Sequence, residues 1–448
     1  MEQCVLSRWL LAASLAVPVA AMAASQATAE AGPVTAPLGL EQAVEMAVEW
    51  HPSVRNAVGY LMESADAIDA ARAGYYPQLR AGFGSDYRNR DVPGHDSRRV
   101  DQFTVSASQM LYDFGKVSSA VDRARAEREA AQARVLLAVD QLAQETAHAW
   151  IEVHRYEALQ ELAQAQREGV AAIAGLAHER RTRGASPLSD ELQAQAREQA
   201  AQADLLDTVS QLQRWRLQLQ QLTGAAGLPQ AMDGSADGLA DACMAATDPG
   251  AQLAPAVLVA QAQLRAAQAD VESARAQGRP TLSVDGSLSR GLNADSRMNE
   301  PYDAAIALNL SAPLYQGGGN AARRRAAGHS LAASEAALQH ARLQASQALL
   351  DAQVQARGHA GRDAVLGERI DSIEHTRDLY RQQYLDLGTR SLLDLLNAEQ
   401  EFHGARVENV NNRHDLLRMQ VDCLASSGGL RRAFGLEGRQ VAGVELAP

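Results

Sequence analysis

The chain has 448 residues, 46% of them hydrophobic and only 4% aromatic, with a formal net charge of −12. That acidity, with no dense Lys/Arg stripe to offset it, excludes nucleic acid as the main partner. Three cysteines are too few for a disulfide framework, and their spacing fits no zinc pattern.

An apolar run at 9–23 follows Arg8 and ends in Ala21-Met22-Ala23, the shape of a secretory leader cleaved after Ala23. It is too short to span a bilayer, and no later stretch approaches the ~20 apolar residues of a membrane helix. Export leaves Cys243 and Cys423. These read as two free buried thiols in preference to a single bridge, although an oxidising compartment would permit the bridge.

The rest is one design written twice. Ala71-Arg72-Ala73 with Pro77 and Leu79 returns as Ala274-Arg275-Ala276 with Pro280 and Leu282, and Leu111-Tyr112 returns as Leu314-Tyr315, all at an offset of 203 positions. Gly184, Leu188, Asp190 and Ala194 recur as Gly388, Leu392, Asp394 and Ala398 at 204. A register held through segments of different character marks a duplicated unit. The expected organisation is a leader (1–23), a first repeat (24–232), a linker rich in Gly, Asp, Ala and Pro (233–255), a second repeat (256–430) and a tail (431–448).

The first repeat opens with a helical pattern from Leu40, interrupted at His51-Pro52 and resumed to about Gly74. After Pro77 the period becomes two. Leu79, Ala81, Phe83 and Tyr87 alternate with polar or small residues, a turn-rich stretch at 89–96 follows, and Phe103, Val105, Ala107 and Leu111 alternate with Thr104, Ser106 and Ser108. This predicts a hairpin at about 77–113, repeated at about 280–315 with Leu282, Val284, Leu288, Ile306, Leu308 and Leu310 on one face. Strands of about ten residues with one apolar face match the staves of an outer-membrane barrel. Seven of the eighteen aromatics beyond the leader crowd into the first hairpin and its immediate flanks (75–114), as interfacial girdles require and a soluble sheet does not.

Residues 117–183 contain no proline and almost no glycine, which predicts one helix roughly 100 Å long. Val121, Ala124, Arg128, Ala131, Val135, Ala138, Leu142, Glu145 and Ala149 form its three-four seam, so it packs as a coiled coil. Gly184 and Pro187 reverse the chain into a return helix at about 188–223. The second repeat has the same pair at about 320–387 and 391–425, reversing at Gly388. Each chain therefore offers four membrane-length strands, where the smallest such barrels have about eight. It must oligomerise to close an edge-free barrel.

No catalytic constellation accompanies this layout. Gly317-Gly318-Gly319 is matched in the first repeat by Phe114-Gly115-Lys116, and no ribose-binding acid follows, so it reads as a tight strand-to-helix turn. The histidines are scattered and no Gly-x-Ser-x-Gly elbow exists. No enzyme activity, cofactor or metal is expected.

The Leu40 to Pro52 opening, the Ala-Arg-Ala…Pro-x-Leu strand beginnings, the Leu-Tyr strand ends and Gly388-Thr389-Arg390-Ser391-Leu392-Leu393-Asp394-Leu395-Leu396-Asn397-Ala398 together resemble the TolC-like outer-membrane channels. The resemblance covers nearly the whole mature chain. It implies an α+β membrane protein: a homotrimer with one 12-stranded barrel in outer-membrane lipid and an α-helical tunnel in the periplasm. Its tips would open against a periplasmic adaptor and an inner-membrane transporter. The resemblance also implies a gate in which the Asp190 carboxylate bonds a neighbouring hairpin and Arg390 is its cationic partner. Asp394 would form an acidic selectivity ring, and a second ring position holds Asn397 here, which predicts weaker cation selectivity. Gly184, Leu188, Gly388 and Leu392 mark the tip turns where an adaptor would dock. Tyr384 stands four residues before Gly388, where three is the family spacing, so its part in the lock is not carried over. The tip pattern with Glu399-Gln400-Glu401 resembles members serving type I protein secretion, the alternative being drug or small-molecule efflux. A non-conducting periplasmic coiled-coil scaffold is the reading from another class, and it leaves the amphipathic hairpins unexplained.

Overall fold

The computed structural model describes residues 37–87, 99–231, 238–246, 253–292 and 302–446. The leader, Cys4 and the turn at 89–96 lie outside them.

Two long helices form the frame: α3 (Lys116–Thr182) in the first repeat and α7 (Gly319–Gln382) in the second. Toward the sheet, α2 (Pro52–Arg72) packs on α3 and α6 (Pro255–Ala276) packs on both α3 and α7. Away from it, α4 (Leu188–Thr223) packs on α3, and α8 (Leu392–Ser427) packs on α3 and α7. The lower helices thus lie in the order α4–α3–α8–α7. Since α3 has neighbours on several sides, its burial exceeds one seam. Val121, Ala124, Ala131, Val135, Leu142 and Ala149 of the expected seam are buried, but so are Ala126, Ala130, Ala133, Leu136, Val139 and Ala143. Arg128 and Glu145, which the three-four spacing assigns to the seam, are exposed instead. The frequent alanines let the axes approach closely.

The main core lies midway along the helices. There α1 (Leu40–Trp50) buries Leu40, Ala43, Val44, Ala47 and Val48 against α3, and the C-terminal segment with α9 (Leu430–Ala433), Phe434 and Leu436 covers α8. The Trp150 indole is 1% exposed and donates to the Leu38 carbonyl at 2.7 Å. Polar pairs stitch α3 to this C-terminal region: Asp140 to Arg431 at 2.6 Å, Gln144 and His148 to Asp422, and His154 to His414 at 2.7 Å. A short linker helix, α5 (Leu239–Ala245), lies on α8. Here the expectation of free thiols is corrected: Cys243 and Cys423 form a disulfide with Cα atoms 5.5 Å apart. Docking of α5 on α8 brings together residues separated by 180 positions.

The four strands β1 (Gln78–Tyr87), β2 (Arg99–Tyr112), β3 (Thr281–Gly291) and β4 (Tyr302–Ser311) form one antiparallel sheet in that order. Register carries the period-two pattern across it: Phe83 faces Phe103, Ala81 faces Val105, Val105 faces Leu288 and Leu288 faces Ala304. One face is therefore apolar, and it is open: Leu79 is 75% and Ile306 86% exposed. Leu111 departs from the expected alternation. A bulge between Met110 and Tyr112 brings Tyr112 opposite Leu282, so Tyr112 takes the apolar face at the strand end. Among the described residues, β1 and β4 each leave one edge unpaired.

Candidate gate at the helical tips

Both long hairpins reverse at a left-handed glycine, Gly184 (φ +74°) and Gly388 (φ +61°), a conformation that costs residues with a Cβ about 1 kcal/mol. Pro187 then caps α4, whose first residue, Leu188, is exposed. Ser391 caps α8 through a reciprocal box with Asp394, in which the Ser391 hydroxyl accepts from the Asp394 amide at 3.2 Å. Leu392 is buried beside Leu395, Leu396, Ile173 and Ala177.

The two hairpins differ by one residue. The second has an extra position between its strand-end glycine and tip glycine, and a π-turn, Gln383–Leu387, takes it up. This turn also sets the place of Tyr384. The wider turn rotates its side chain inward, where it is 4% exposed, while Leu385 points outward. Arg180 of α3 lies over the Tyr384 ring, 4.7 Å from its centroid, and donates to the Tyr384 carbonyl at 3.0 Å. One guanidinium thus clasps the second hairpin to the first. Burial raises the Tyr384 phenol above its usual range; the Arg180 charge opposes this and the Asp190 charge adds to it. Among the described residues the Tyr384 hydroxyl has no hydrogen-bond partner.

The remaining tip charges are arranged within their own hairpins. Glu191, 6% exposed, accepts from His178 at 2.6 Å and pairs with Arg181, bracing the first turn. Asp190 is half-buried beside it, with Ser189 as its hydroxyl neighbour at 3.5 Å. Arg390 lies over the Tyr380 ring at 4.3 Å, donates to Gln383 at 3.2 Å and stands 3.9 Å from Asp394. Within one chain, among the described residues, no ion pair joins Asp190 to Arg390. Asn397 is exposed. On α8, at about 100° per residue, Asp394 and Asn397 lie within about 60° of each other, on the side away from Leu395 and Leu396.

Arg180 and Glu191 are the tip residues that sequence reasoning missed, and Tyr384 is one it named without placing it in the packing. The offset change from 203 to 204 was the available signal for Tyr384. Above them, Glu399 is half-buried between Arg377 and Gly169, where a Cβ at 169 would approach Glu399 Oε1 to 2.8 Å. Burial raises the Glu399 carboxyl, and Arg377 opposes the rise. No candidate metal cluster exists among the described residues.

The family described as outer membrane efflux protein matches residues 43–225 and 251–429. Protein CyaE of Bordetella pertussis is 28% identical over 413 residues, covering 85% of this chain and 82% of its own. The pyoverdine export outer membrane protein OpmQ of Pseudomonas aeruginosa is 33% identical over 186 residues, 40% of this chain and 36% of its own. A crystal structure of a Pseudomonas aeruginosa membrane protein superposes with a TM-score of 0.78 at 21% identity, covering 87% of this chain and 90% of that one. The chain resides in the outer membrane and extends into the periplasm. The chain belongs to the outer membrane efflux protein family, the TolC-like passive channels of the outer membrane.

Proposed function

We propose that three copies close into one 12-stranded barrel and a helical tunnel, forming the exit duct of a tripartite machine for type I protein secretion. The observation that carries this reading is the matching of unfinished edges. β1 and β4 are unpaired at opposite sides of the sheet, and α4 and α7 flank the lower helices with exposed apolar residues. Leu192, Leu206 and Leu217 stand out on α4, and Leu343, Leu350, Val354 and Val365 on α7. One copy's β4–α7 side meets the next copy's β1–α4 side, a head-to-tail contact that closes when three copies supply twelve strands.

In this ring Asp190 and Arg390 of adjacent hairpins form the breakable lock, Asp394 lines the pore as an acidic ring, and Asn397 leaves the second ring neutral. Gly184, Leu188, Gly388 and Leu392 form the rim on which the periplasmic adaptor docks, with the inner-membrane transporter behind it. Each exposed pair is worth about 0–1 kcal/mol, so a docking partner can break it. Arg390→Ser should raise the conductance of the purified trimer in a planar bilayer, and an unchanged closed conductance would count against the lock.

The protein-secretion assignment rests on the tip pattern from Arg390 to Leu396. Small-molecule export is favoured instead by the OpmQ match, which spans part of the chain. Culture-supernatant proteomics of a deletion strain and its complemented parent, with drug susceptibility read on the same pair, separates them. Loss of one large secreted protein supports the first, and heightened drug sensitivity with an intact supernatant supports the second.

A further inference from the structure

The Cys243–Cys423 bond is sealed. The two residues are 1% and 0% exposed, packed among Ala254, Val257, Leu338 and Leu349. The Gln353 amide of α7 closes over the end of α5, donating to the carbonyls of Cys243 at 3.2 Å and Ala246 at 2.8 Å. No thiol oxidant reaches either sulfur once this packing is complete. The bond also spans 180 positions and ties the linker to the last long helix, so it cannot form until most of the second repeat has been made.

We propose that this cysteine pair is oxidised during folding by a protein disulfide of the thiol-exchange class, and that Cys243 is the residue captured first. Cys243 precedes Cys423 in synthesis, and it sits on a helix of 7 residues that has too few turns to persist alone. Its thiolate stays accessible until α8 is in place. That thiolate attacks the oxidant's disulfide, forming a mixed disulfide and releasing one oxidant thiolate. As α5 docks, the Cys423 thiolate attacks Cys243 Sγ and expels the second oxidant sulfur. Two protein thiols are oxidised, and two electrons and two protons end on the oxidant as a dithiol. The closing step needs the α5–α8 contact, so the bond forms only in chains that have assembled their midsection. Passage through the periplasm supplies the oxidising environment.

The test uses the full chain expressed with its own leader and recovered from the outer-membrane fraction. Alkylation in denaturant should label no cysteine before reduction and two afterwards; two labelled before reduction would overturn the proposal. Cys423→Ser should accumulate a larger, dithiothreitol-sensitive adduct on non-reducing gels, and Cys243→Ser should not. Equal trapping by both variants, or by neither, would overturn the capture order. Dithiothreitol added to the native protein should leave its thermal midpoint unchanged. The same reagent present throughout refolding should lower the midpoint by about 5 °C. A midpoint that falls in the native sample would show that the bond is not sealed.

Discussion

Replacing Arg431 by methionine should destabilise the protein by about 3–5 kcal/mol at pH 8 and by far less at pH 5. Arg431 and Asp140 are 2.6 Å apart, with side chains only 2% and 5% exposed. Burial pushes the Asp140 carboxyl up to about 6, against the opposing charge and hydrogen bond of Arg431. A carboxyl whose folded pKa is raised costs stability when ionised. The cost is absent below the unfolded value of about 3.8, grows as pH rises, and is complete above about 6, where it reaches roughly 3 kcal/mol. Without Arg431 nothing opposes burial, so the pKa rises further and the window extends upward. At pH 5 the variant's Asp140 is protonated and only a hydrogen bond is lost, about 1 kcal/mol. Urea unfolding of the detergent-solubilised protein, followed by tryptophan fluorescence at both pH values against the parent, measures the difference. Asp140→Leu with Arg431→Met should recover most of the loss, because an apolar pair of similar volume needs no partner. Equal destabilisation at pH 5 and 8, or a double variant as weak as the single, would refute the reasoning.

Burial holds His414 down at about 4, with the Val410 carbonyl opposing and the His154 charge assisting. Its contribution is therefore intact above about 6.5 and is lost as pH falls toward 4, by roughly 3 kcal/mol. This opposes the Asp140 slope, so His414→Asn should make the protein more stable at pH 5 relative to pH 7 than the parent is, measured by the same unfolding assay. Gly224 ends α4 at φ +68°, and a Cβ there would overlap the Trp50 indole. Gly224→Ala should cost about 2 kcal/mol or more, read from the unfolding midpoint. At the tips, Asp394→Ala should lower cation over anion permeability, read as a shifted reversal potential, and Asn397→Asp should tighten block by trivalent cations. An unaltered reversal potential or blocking concentration would remove these residues from the pore.

Local periodicity made much of the fold legible. Phe83, Phe103, Val105 and Leu288 share a sheet face because a period of two survives any pairing that keeps register, and the long proline-free run can only be a long helix. What stayed hidden depends on contacts between distant segments. Asp140 looks like a solvated charge until Arg431, 291 positions away, arrives on the C-terminal segment. The cysteine bridge depends on where the linker docks, and no spacing rule encodes that. At the tips, Gly184, Gly388 and the Ser391–Asp394 cap follow from local turn chemistry. The inward place of Tyr384 was hidden because counting residues back from Gly388 assumes an α-helix, and the π-turn breaks that assumption. The bulge at Leu111 misled for the same reason: one inserted residue reverses the parity of everything after it.

The single extra residue at Gln383–Leu387 also decides the symmetry that a partner meets. In the proposed ring of three chains the rim would have six hairpins, and a perfect internal duplication would make them six equal footholds. In that proposed ring three would carry the clasped Tyr384 turn and three the Glu191 brace, so the rim would alternate between two surfaces. A partner supplying six identical units must accept two unlike seats, whereas one supplying three can recognise a single kind and ignore the other.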